Sequence, residues 1–308
     1  MPLLRHDFSN ELWSMRILVS GAHGFLGTPL VLSLESLGHE IIFLVRKEEN
    51  GKRKVIVWHP ETGEVDPSFF EGIEAVIHLA GKNLAEKRWS KEFKQELFQS
   101  RCRDTWLLAQ ALSRISRPPK VFIGASAMGF YGNTGEVVVD ELKPPGRGFL
   151  ADLCVQWEKA SAVLRQSGCR VVHVRFGALL HPSGGLMAKM EKPFRWGFGA
   201  ILGDGQQWMS WISREDAIRA IEYILFETSL EGPVNLCTEH PIRNQEWTET
   251  LARLHHTKVR GRIPKFLLPI FFGEMATEMM LSSTRAVPDR LKKSGFIFKT
   301  PTISQIIL

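Results

Sequence analysis

Three regularly spaced glycines near the amino end constrain the fold of this chain more than any other feature. Gly21, Gly24 and Gly27 follow the apolar run 16–20 and precede an apolar segment of helical length. A strand, a glycine-spaced turn and a helix in this order are the setting of a dinucleotide fingerprint. Gly21 permits the tight turn, Gly24 lets the backbone approach a pyrophosphate, and Gly27 lets the helix lie close to the sheet.

The turn itself is expected to bind the cofactor. The helix that follows directs free amide groups and its positive dipole end at phosphate oxygens. Besides the three glycines, the expected contact residues are His23, Phe25 and Leu26. A glycine-rich turn that binds nothing is the alternative, and the strand and helix on either side favour cofactor binding.

Short β-branched apolar runs alternate with helix-length segments through the first half of the chain. The runs cover residues 16–20, 40–45, 54–58, 75–79, 121–124 and 170–175. Such runs are typical of strands buried on both faces, and the intervening helices predict a parallel sheet. The fold class that follows is α/β, a doubly wound Rossmann sheet with a small C-terminal substrate lobe.

The distribution of residue types along the sequence also predicts how the chain divides into an extension, a domain and a lobe. Residues 1–14 precede the first strand, and residues 15–178 carry the predicted cofactor-binding domain. Glycines and aromatic residues cluster after Arg175, so residues 179–308 are predicted to form a substrate-side lobe that returns one strand to the main sheet.

Basic residues follow the second predicted strand. Arg46 and Lys47 stand where an NAD site places an acidic residue for the ribose 2′-hydroxyl. A cation at this position fits a 2′-phosphate, which predicts NADP. Because Glu48 and Glu49 come next, a solvated loop is the alternative.

The fourth run ends in a turn of small residues, Leu79, Ala80 and Gly81. A cofactor ribose fits against such a backbone, so these three are predicted cofactor contacts. His78, at the end of the same strand, is expected to be a packed core histidine and not a metal ligand.

These motifs resemble the extended short-chain dehydrogenase/reductase superfamily. The narrower resemblance, over about residues 15–308, is to its atypical sugar-nucleotide-epimerase-like family. The motifs that carry it are the glycine turn, His78–Gly81, Ser126–Gly132, Arg175–Gly177, Met209–Ile212 and the tail from Gly273 to Phe296. The resemblance implies a Rossmann-fold NADP-binding protein with a small C-terminal lobe over the nicotinamide end, and it implies no particular substrate. The leading hypothesis for the function is an NADP-dependent oxidoreductase or epimerase-like enzyme acting on a small polar or nucleotide-sugar-like substrate.

The resemblance also implies where catalysis takes place. The superfamily uses a Ser, a Tyr and a Lys four residues after that Tyr, and Ser126 stands near the position of the Ser. A turn-capping role for Ser126 is the alternative. Tyr131 is the candidate to replace the missing Tyr. A phenol with an ordinary pKa near 10 needs a nearby cation or donor for this role, so simply lining the site is the alternative for Tyr131.

The helix that should carry the Tyr and the Lys lacks both residue types. Depending on the register, the two positions are occupied by Leu153 and Trp157, or by Cys154 and Glu158. A thiol one helical turn from a carboxylate has a raised pKa, so Cys154 is expected to be a buried residue and not a nucleophile. An NADPH-binding sensor or scaffold without strong catalysis is therefore the rival function.

Two further residues are candidate substrate contacts. Arg175 ends a buried strand and needs an anionic partner, which is either the substrate or a structural Asp or Glu. Trp211, near Trp208 and Met209, is expected to form part of the pocket wall, with a place in the core as the alternative.

Charge and cysteine usage exclude several classes of function. The net charge of +6 comes without dense Lys/Arg runs, so no nucleic-acid partner is expected. The four cysteines form no C-x-x-C pair, which predicts no metal site and free thiols in a reducing cytoplasm. No apolar stretch is long enough for a membrane span, and no secretory signal precedes the first strand. A homodimer is possible through the helices that follow Trp89.

Overall fold

A parallel β-sheet of seven strands forms the centre of the molecule. The computed structural model describes residues 14–48, 51, 53–63 and 65–306, without the side chain of Lys189. The predicted extension, residues 1–14, therefore lies outside the described residues except for Ser14. The strands are β1 Arg16–Ser20, β2 Glu40–Val45, β3 Lys54–Val57, β4 Ala75–His78, β5 Val121–Ala127, β6 Val138–Val139, β7 Arg170–Phe176, β8 Ala178–His181, β9 Ile201–Leu202, β10 Trp208–Met209, β11 Trp211–Ser213, β12 Gly232–Leu236, β13 Ile242–Arg243, β14 Arg262–Ile263 and β15 Arg285–Ala286.

Helices connect these strands. The α-helices are α1 Gly27–Ser36, α2 Lys91–Phe98, α3 Asp104–Ser113, α4 Phe149–Ala160, α5 Val163–Gln166, α6 Gly185–Arg195, α7 Arg214–Phe226, α8 Asn244–Leu254, α9 Leu267–Phe272 and α10 Asp289–Ser294. A π-helical turn, Gln99–Arg103, joins α2 to α3. In the described part of the chain, no helix is long and apolar enough to cross a membrane.

The sheet has the strand order β3-β2-β1-β4-β5-β7-β12, and each neighbouring pair is parallel. The chain reverses its direction of progress between β1 and β4, so a crevice opens there at the carboxyl ends of the strands. The predicted doubly wound α/β fold is confirmed.

Apolar side chains of the strands alternate between the two faces of the sheet. Helices pack against them on both faces. On one face, Ile17 and Val19 pack in a cluster with residues of α1 and α7. On the other, Leu18 and Val76 pack in a cluster with residues of α3 and α5. Fully burying one such side chain stabilises the fold by about 1.5–3 kcal/mol. Because these strands are buried on both faces, their sequences are continuous apolar runs, and these runs predicted the strands.

The chain after residue 178 contributes both to a lobe above the sheet and to the sheet itself. A separate apolar cluster, which includes Leu180, Met187 and Trp247, holds α6 and α8 together. β12 pairs with β7 at the edge of the main sheet. The carboxylate of Glu278 accepts hydrogen bonds from the first amides of α4, Phe149 N (3.3 Å) and Leu150 N (3.1 Å), and so joins the C-terminal segment to the sheet domain.

Candidate functional site

A cavity of about 1040 Å³ lies over the carboxyl ends of the strands, between the sheet and the lobe. The glycine turn, the end of β5 and one face of α4 form its floor and one side. Apolar side chains from the lobe form the other side, among them Leu186, Met190, Phe271, Met275 and Met279.

The glycine turn is a cradle of bare backbone. Gly21 has φ +73°, and a Cβ there would lie 3.0 Å from the amide nitrogen of Ala80. A Cβ at Gly27 would lie only 2.1 Å from the carbonyl oxygen of Gly21. The amide of Gly24 donates to that same carbonyl at 2.9 Å, which closes the turn. The space and the free amides at the start of α1 fit a pyrophosphate.

The other predicted residues of the turn differ in their placement. Phe25 and Leu26 line the cavity together with the glycines. His23 is exposed, outside the wall of the cavity, and its ring lies edge-on to Phe43 with 5.2 Å between centroids. Its role as a cofactor contact stays a prediction.

A second cavity of about 450 Å³ lies beyond the switch point, at the ends of β2 and β4. Ala80, Gly81 and Arg46 line it, whereas Leu79 faces the larger cavity. The guanidinium of Arg46 pairs with the carboxylate of Asp104 at 2.9 Å, and the Arg46 side chain stays 64% exposed. A partly exposed cation therefore stands at the edge of the second cavity.

His78 is held inside the fold. Its Nδ1 lies 2.7 Å from the hydroxyl of Ser20, and its Nε2 lies 3.0 Å from the hydroxyl of Thr105. Burial lowers the pKa of His78 to about 4, so the ring is neutral at physiological pH. Among the described residues, no group of three His, Cys, Asp or Glu side chains is arranged to hold a metal ion.

Ser126 stands at the end of β5 on the cavity wall. Its hydroxyl donates to Oε1 of Glu158 at 2.7 Å. Glu158 also accepts from Arg175, Nε to Oε1 at 2.8 Å and a terminal nitrogen to Oε2 at 2.9 Å. One hydroxyl at the cavity is thus backed by a carboxylate that a bidentate guanidinium holds in place.

The hydrogen-bonded network behind Ser126 continues from Arg175 to Tyr131, away from the cavity. The hydroxyl of Tyr131 accepts from Arg175 at 2.9 Å and donates to Oδ1 of Asn235 at 2.7 Å. Burial raises the pKa of Tyr131 to about 12, and its side chain does not line the cavity. Of the two partners expected for Arg175, the structure shows the structural carboxylate. The catalytic role predicted for Tyr131 stays a prediction that this geometry does not favour.

Both registers predicted for the missing Tyr and Lys fall on the cavity side of α4. Leu153, Cys154 and Trp157 line the cavity, and Glu158 lies behind them in contact with Ser126. Burial, with a smaller effect from the charge of Glu158, raises the pKa of the Cys154 thiol to about 12. This agrees with the expected inert thiol.

Trp211 is placed differently from its expected position in the pocket wall. It is fully buried in the lobe, and its indole nitrogen donates to the carbonyl of His240 at 2.9 Å. Trp208 lines the cavity instead. Trp211 lies in the strand β11, which pairs with β8 inside the lobe, so packing fixes its direction.

Sequence reasoning missed the importance of Glu158 and of Arg101. The sequence placed Glu158 at one register of the missing Lys, but its carboxylate was given no role beyond its effect on Cys154. Arg101 lies in the π-helical turn, is 7% exposed and lines the larger cavity. The available signal was a charged residue four positions after Leu97, on the helical face that Phe93 and Leu97 make apolar.

A doubly wound parallel sheet with a glycine cradle at its switch point defines a Rossmann-type dinucleotide-binding protein. The NAD dependent epimerase/dehydratase family matches residues 17–237, and a domain of unknown function, DUF1731, matches residues 263–307. The chain belongs to the NAD dependent epimerase/dehydratase family, in agreement with its resemblance to atypical extended short-chain dehydrogenases/reductases.

Similar proteins match more than nine-tenths of the chain. An epimerase family protein of Mycobacterium bovis is 39% identical over 291 residues, with 94% of this chain and 96% of the relative covered. One from Staphylococcus aureus is 34% identical over 286 residues, with 92% and 94% covered. The crystal structure of a human epimerase family protein with NADPH has a TM-score of 0.86 and 28% identity, and covers 95% of this chain and 98% of that one.

Proposed function

We propose that this epimerase-like oxidoreductase uses NADP and that it oxidises or reduces a carbon bearing a hydroxyl or carbonyl group next to Ser126. The observation that carries the proposal is the hydroxyl of Ser126 on the cavity wall, 2.7 Å from a carboxylate, within the cavity that the glycine cradle also lines. When bound, the nicotinamide gives or takes the hydride. The chain itself supplies orientation, exclusion of water and proton movement.

Ser126 and Glu158 provide a proton route that replaces the missing Tyr and Lys. In the oxidative direction, the substrate hydroxyl gives its proton to Oγ of Ser126 while the Ser126 proton moves to Oε1 of Glu158. In the reductive direction the same two protons move back. Arg175 binds both oxygens of Glu158 and keeps Oε1 directed at Ser126. Tyr131 positions Arg175 and has no contact with substrate in this proposal.

Specificity for NADP rests on Arg46. Its guanidinium lies at the edge of the second cavity, fixed by Asp104, with most of its surface free for a 2′-phosphate. The NADPH in the human relative supports the same choice. Replacement by Arg46→Ala is expected to reduce the preference for NADPH over NADH about tenfold, the effect of losing one charge-assisted contact. Fluorescence titration with both cofactors measures it, and an unchanged preference contradicts the assignment.

The lobe side of the cavity favours a substrate with an apolar group. The sequence predicts a small polar or nucleotide-sugar-like substrate, but the side chains that the lobe contributes to the cavity of Ser126 are largely apolar, including Leu186, Met190, Met275 and Met279. Such a wall binds apolar surface and leaves hydroxyl groups without partners. We therefore propose a carbonyl compound whose polar end lies at Ser126 and whose apolar end lies against the lobe.

A panel of paired substrates tests this function. NADPH oxidation is followed with alkyl and aryl ketones of increasing size and with a nucleotide-linked ketosugar. Turnover that rises with apolar size supports the proposal. Turnover confined to the nucleotide-linked compound overturns the apolar substrate, and tight NADPH binding without turnover on either set favours the sensor or scaffold.

The remaining predictions concern assembly and location. Phe98 and Trp106, on the helices after Trp89, are 44% and 49% exposed, which supports a homodimer through this surface. Light scattering of the purified protein measures its mass, and a monomer at all concentrations contradicts the dimer. All four cysteines are free and buried, which suits the reducing cytoplasm that we propose as the location.

A further inference from the structure

Arg101 is a buried cation at the wall of the larger cavity. Its side chain comes from the π-helical turn between α2 and α3, a type of turn that is frequent at functional sites. The residue is 7% exposed, and its guanidinium carbon lies 5.1 Å from the centroid of the Trp157 ring. A Cβ placed on Gly81 would lie 3.5 Å from that carbon. Arg101 therefore stands between the turn 79–81 and α4.

No carboxylate within the described ranges forms an ion pair with Arg101. Its one hydrogen bond to another described residue is a long contact of 3.5 Å to the hydroxyl of Ser100. Arg175, the other arginine buried beside this cavity, has both oxygens of Glu158 as partners. Burial without such a partner lowers the pKa of Arg101. A buried unpaired charge destabilises a fold. The presence of Arg101 at this position therefore indicates that a bound ligand pairs with its guanidinium.

Arg101 lies close to the positions on α4 where the lysine of the superfamily is missing. The lysine that holds the nicotinamide ribose in the superfamily is replaced on α4 by Trp157 or Glu158, depending on the register. The guanidinium of Arg101 lies over the Trp157 ring and faces the cavity that the glycine cradle also lines.

We propose that Arg101 supplies the missing cation from the α2–α3 turn and binds oxygen atoms of the nicotinamide-ribose-phosphate half of NADPH. This inference rests on the proposed function, because it requires NADPH to lie in the glycine cradle. Trp157 supports the planar guanidinium by cation–π contact. Arg46 and Arg101 then bind opposite halves of the same cofactor.

Binding measurements with two probes separate the halves. NADPH contains both halves, whereas 2′,5′-ADP contains only the adenosine half with its phosphates. For Arg101→Met we expect the Kd of NADPH to rise about 10- to 100-fold, the usual effect of losing a hydrogen bond from a charged group. The Kd of 2′,5′-ADP should change less than about twofold. Arg46→Ala is the matched control, and it should weaken the binding of both probes.

Thermal unfolding of the cofactor-free protein excludes a merely structural role. Arg101→Met removes an unpaired buried charge, so its Tm should equal or exceed that of the wild type. Arg175→Met leaves Glu158 without its partner and should lower the Tm. Arg101→Lys keeps the charge without the planar fork and should recover part of the NADPH affinity.

Three results overturn the assignment. NADPH affinity that is unchanged in Arg101→Met removes the contact. A lower Tm together with parallel losses for both probes shows a structural role. Failure of the wild type to bind either probe overturns the proposed function and this inference with it. A wild type that binds both probes, together with an Arg101→Met protein that binds NADPH equally well, overturns this inference alone.

Discussion

The proposed cofactor end and the proposed catalytic end of the site are built in different ways. At the cofactor end, residues 21–27 and the turn 79–81, two short stretches of chain, line the large cavity and the second cavity beside it. At the catalytic end, Ser126, Glu158 and Arg175 come from β5, α4 and β7 and meet through their side chains. Backbone sites are encoded locally, whereas the side-chain site depends on the packing of the whole sheet.

The largest expected effect is at the catalytic end. Ser126→Ala removes the hydroxyl that passes the proton to Glu158, so kcat should fall about 10²- to 10⁴-fold. The Kd of NADPH should stay within about twofold, because the cofactor end does not use this side chain. Steady-state kinetics and fluorescence titration measure the two quantities.

The exposed Ser36→Ala serves as the matched control for this variant, since its hydroxyl bonds only within α1 near the helix end. A kcat of Ser126→Ala close to that of the control would remove Ser126 from the mechanism.

Acidification is expected to destabilise both ends. Burial lowers the pKa of His78, at the cofactor end, and of His173, below the catalytic end, to about 4. The unfolded chain binds protons at these histidines near pH 6.5, before the folded protein does. Stability should therefore fall as pH drops from about 6.5 to 4, by on the order of 3 kcal/mol for each histidine.

Urea unfolding between these pH values measures the slope. His173→Gln should remove part of it, while the binding of NADPH at neutral pH stays unchanged. A flat profile in the wild type would show that the two rings are not held neutral.

At the cofactor end, Gly27→Ala tests the close approach of helix and turn. The new Cβ would lie 2.1 Å from the carbonyl of Gly21, so the backbone has to shift. A loss of about 1–3 kcal/mol of stability is expected, the usual effect of overpacking, together with weaker NADPH binding. Gly51→Ala, where a Cβ meets nothing within 4 Å, is the control. Equal behaviour of the two variants would contradict the cradle.

The smallest effect is expected at Cys154, which lines the cavity between the two ends. Its thiol has a pKa of about 12 because it is buried, so it is not a nucleophile at neutral pH. Cys154→Ala should change kcat less than about twofold, in contrast to Ser126→Ala. An alkylating reagent that inactivates the wild type and leaves the Cys154→Ala protein active acts through Cys154. Because this residue lines the cavity, such inactivation shows that the added group blocks the cavity. Loss of activity in Cys154→Ala itself would contradict the inert thiol.

The placement of single residues shows how far sequence reasoning reached. The strands and the glycine turn follow from local patterns, because burial on both faces requires continuous apolar runs and a tight turn requires glycine. Trp208 and Trp211 are the same type of residue and stand close together in the sequence. Trp211 nevertheless lies in the core, whereas Trp208 lies on the cavity wall. No local pattern distinguishes them, since the difference comes from which strand pairs with which.

The amino-acid sequence by itself determined the parallel sheet, the cofactor turn and the absence of the usual Tyr and Lys, because each depends on neighbouring residues along the chain. Only the tertiary structure decided that Glu158 faces Ser126, that Arg175 is already paired, and that Arg101 is buried with no carboxylate partner among the described residues. These facts depend on distances of a few ångströms between residues far apart in the chain, and such distances are fixed only when the helices pack against the sheet.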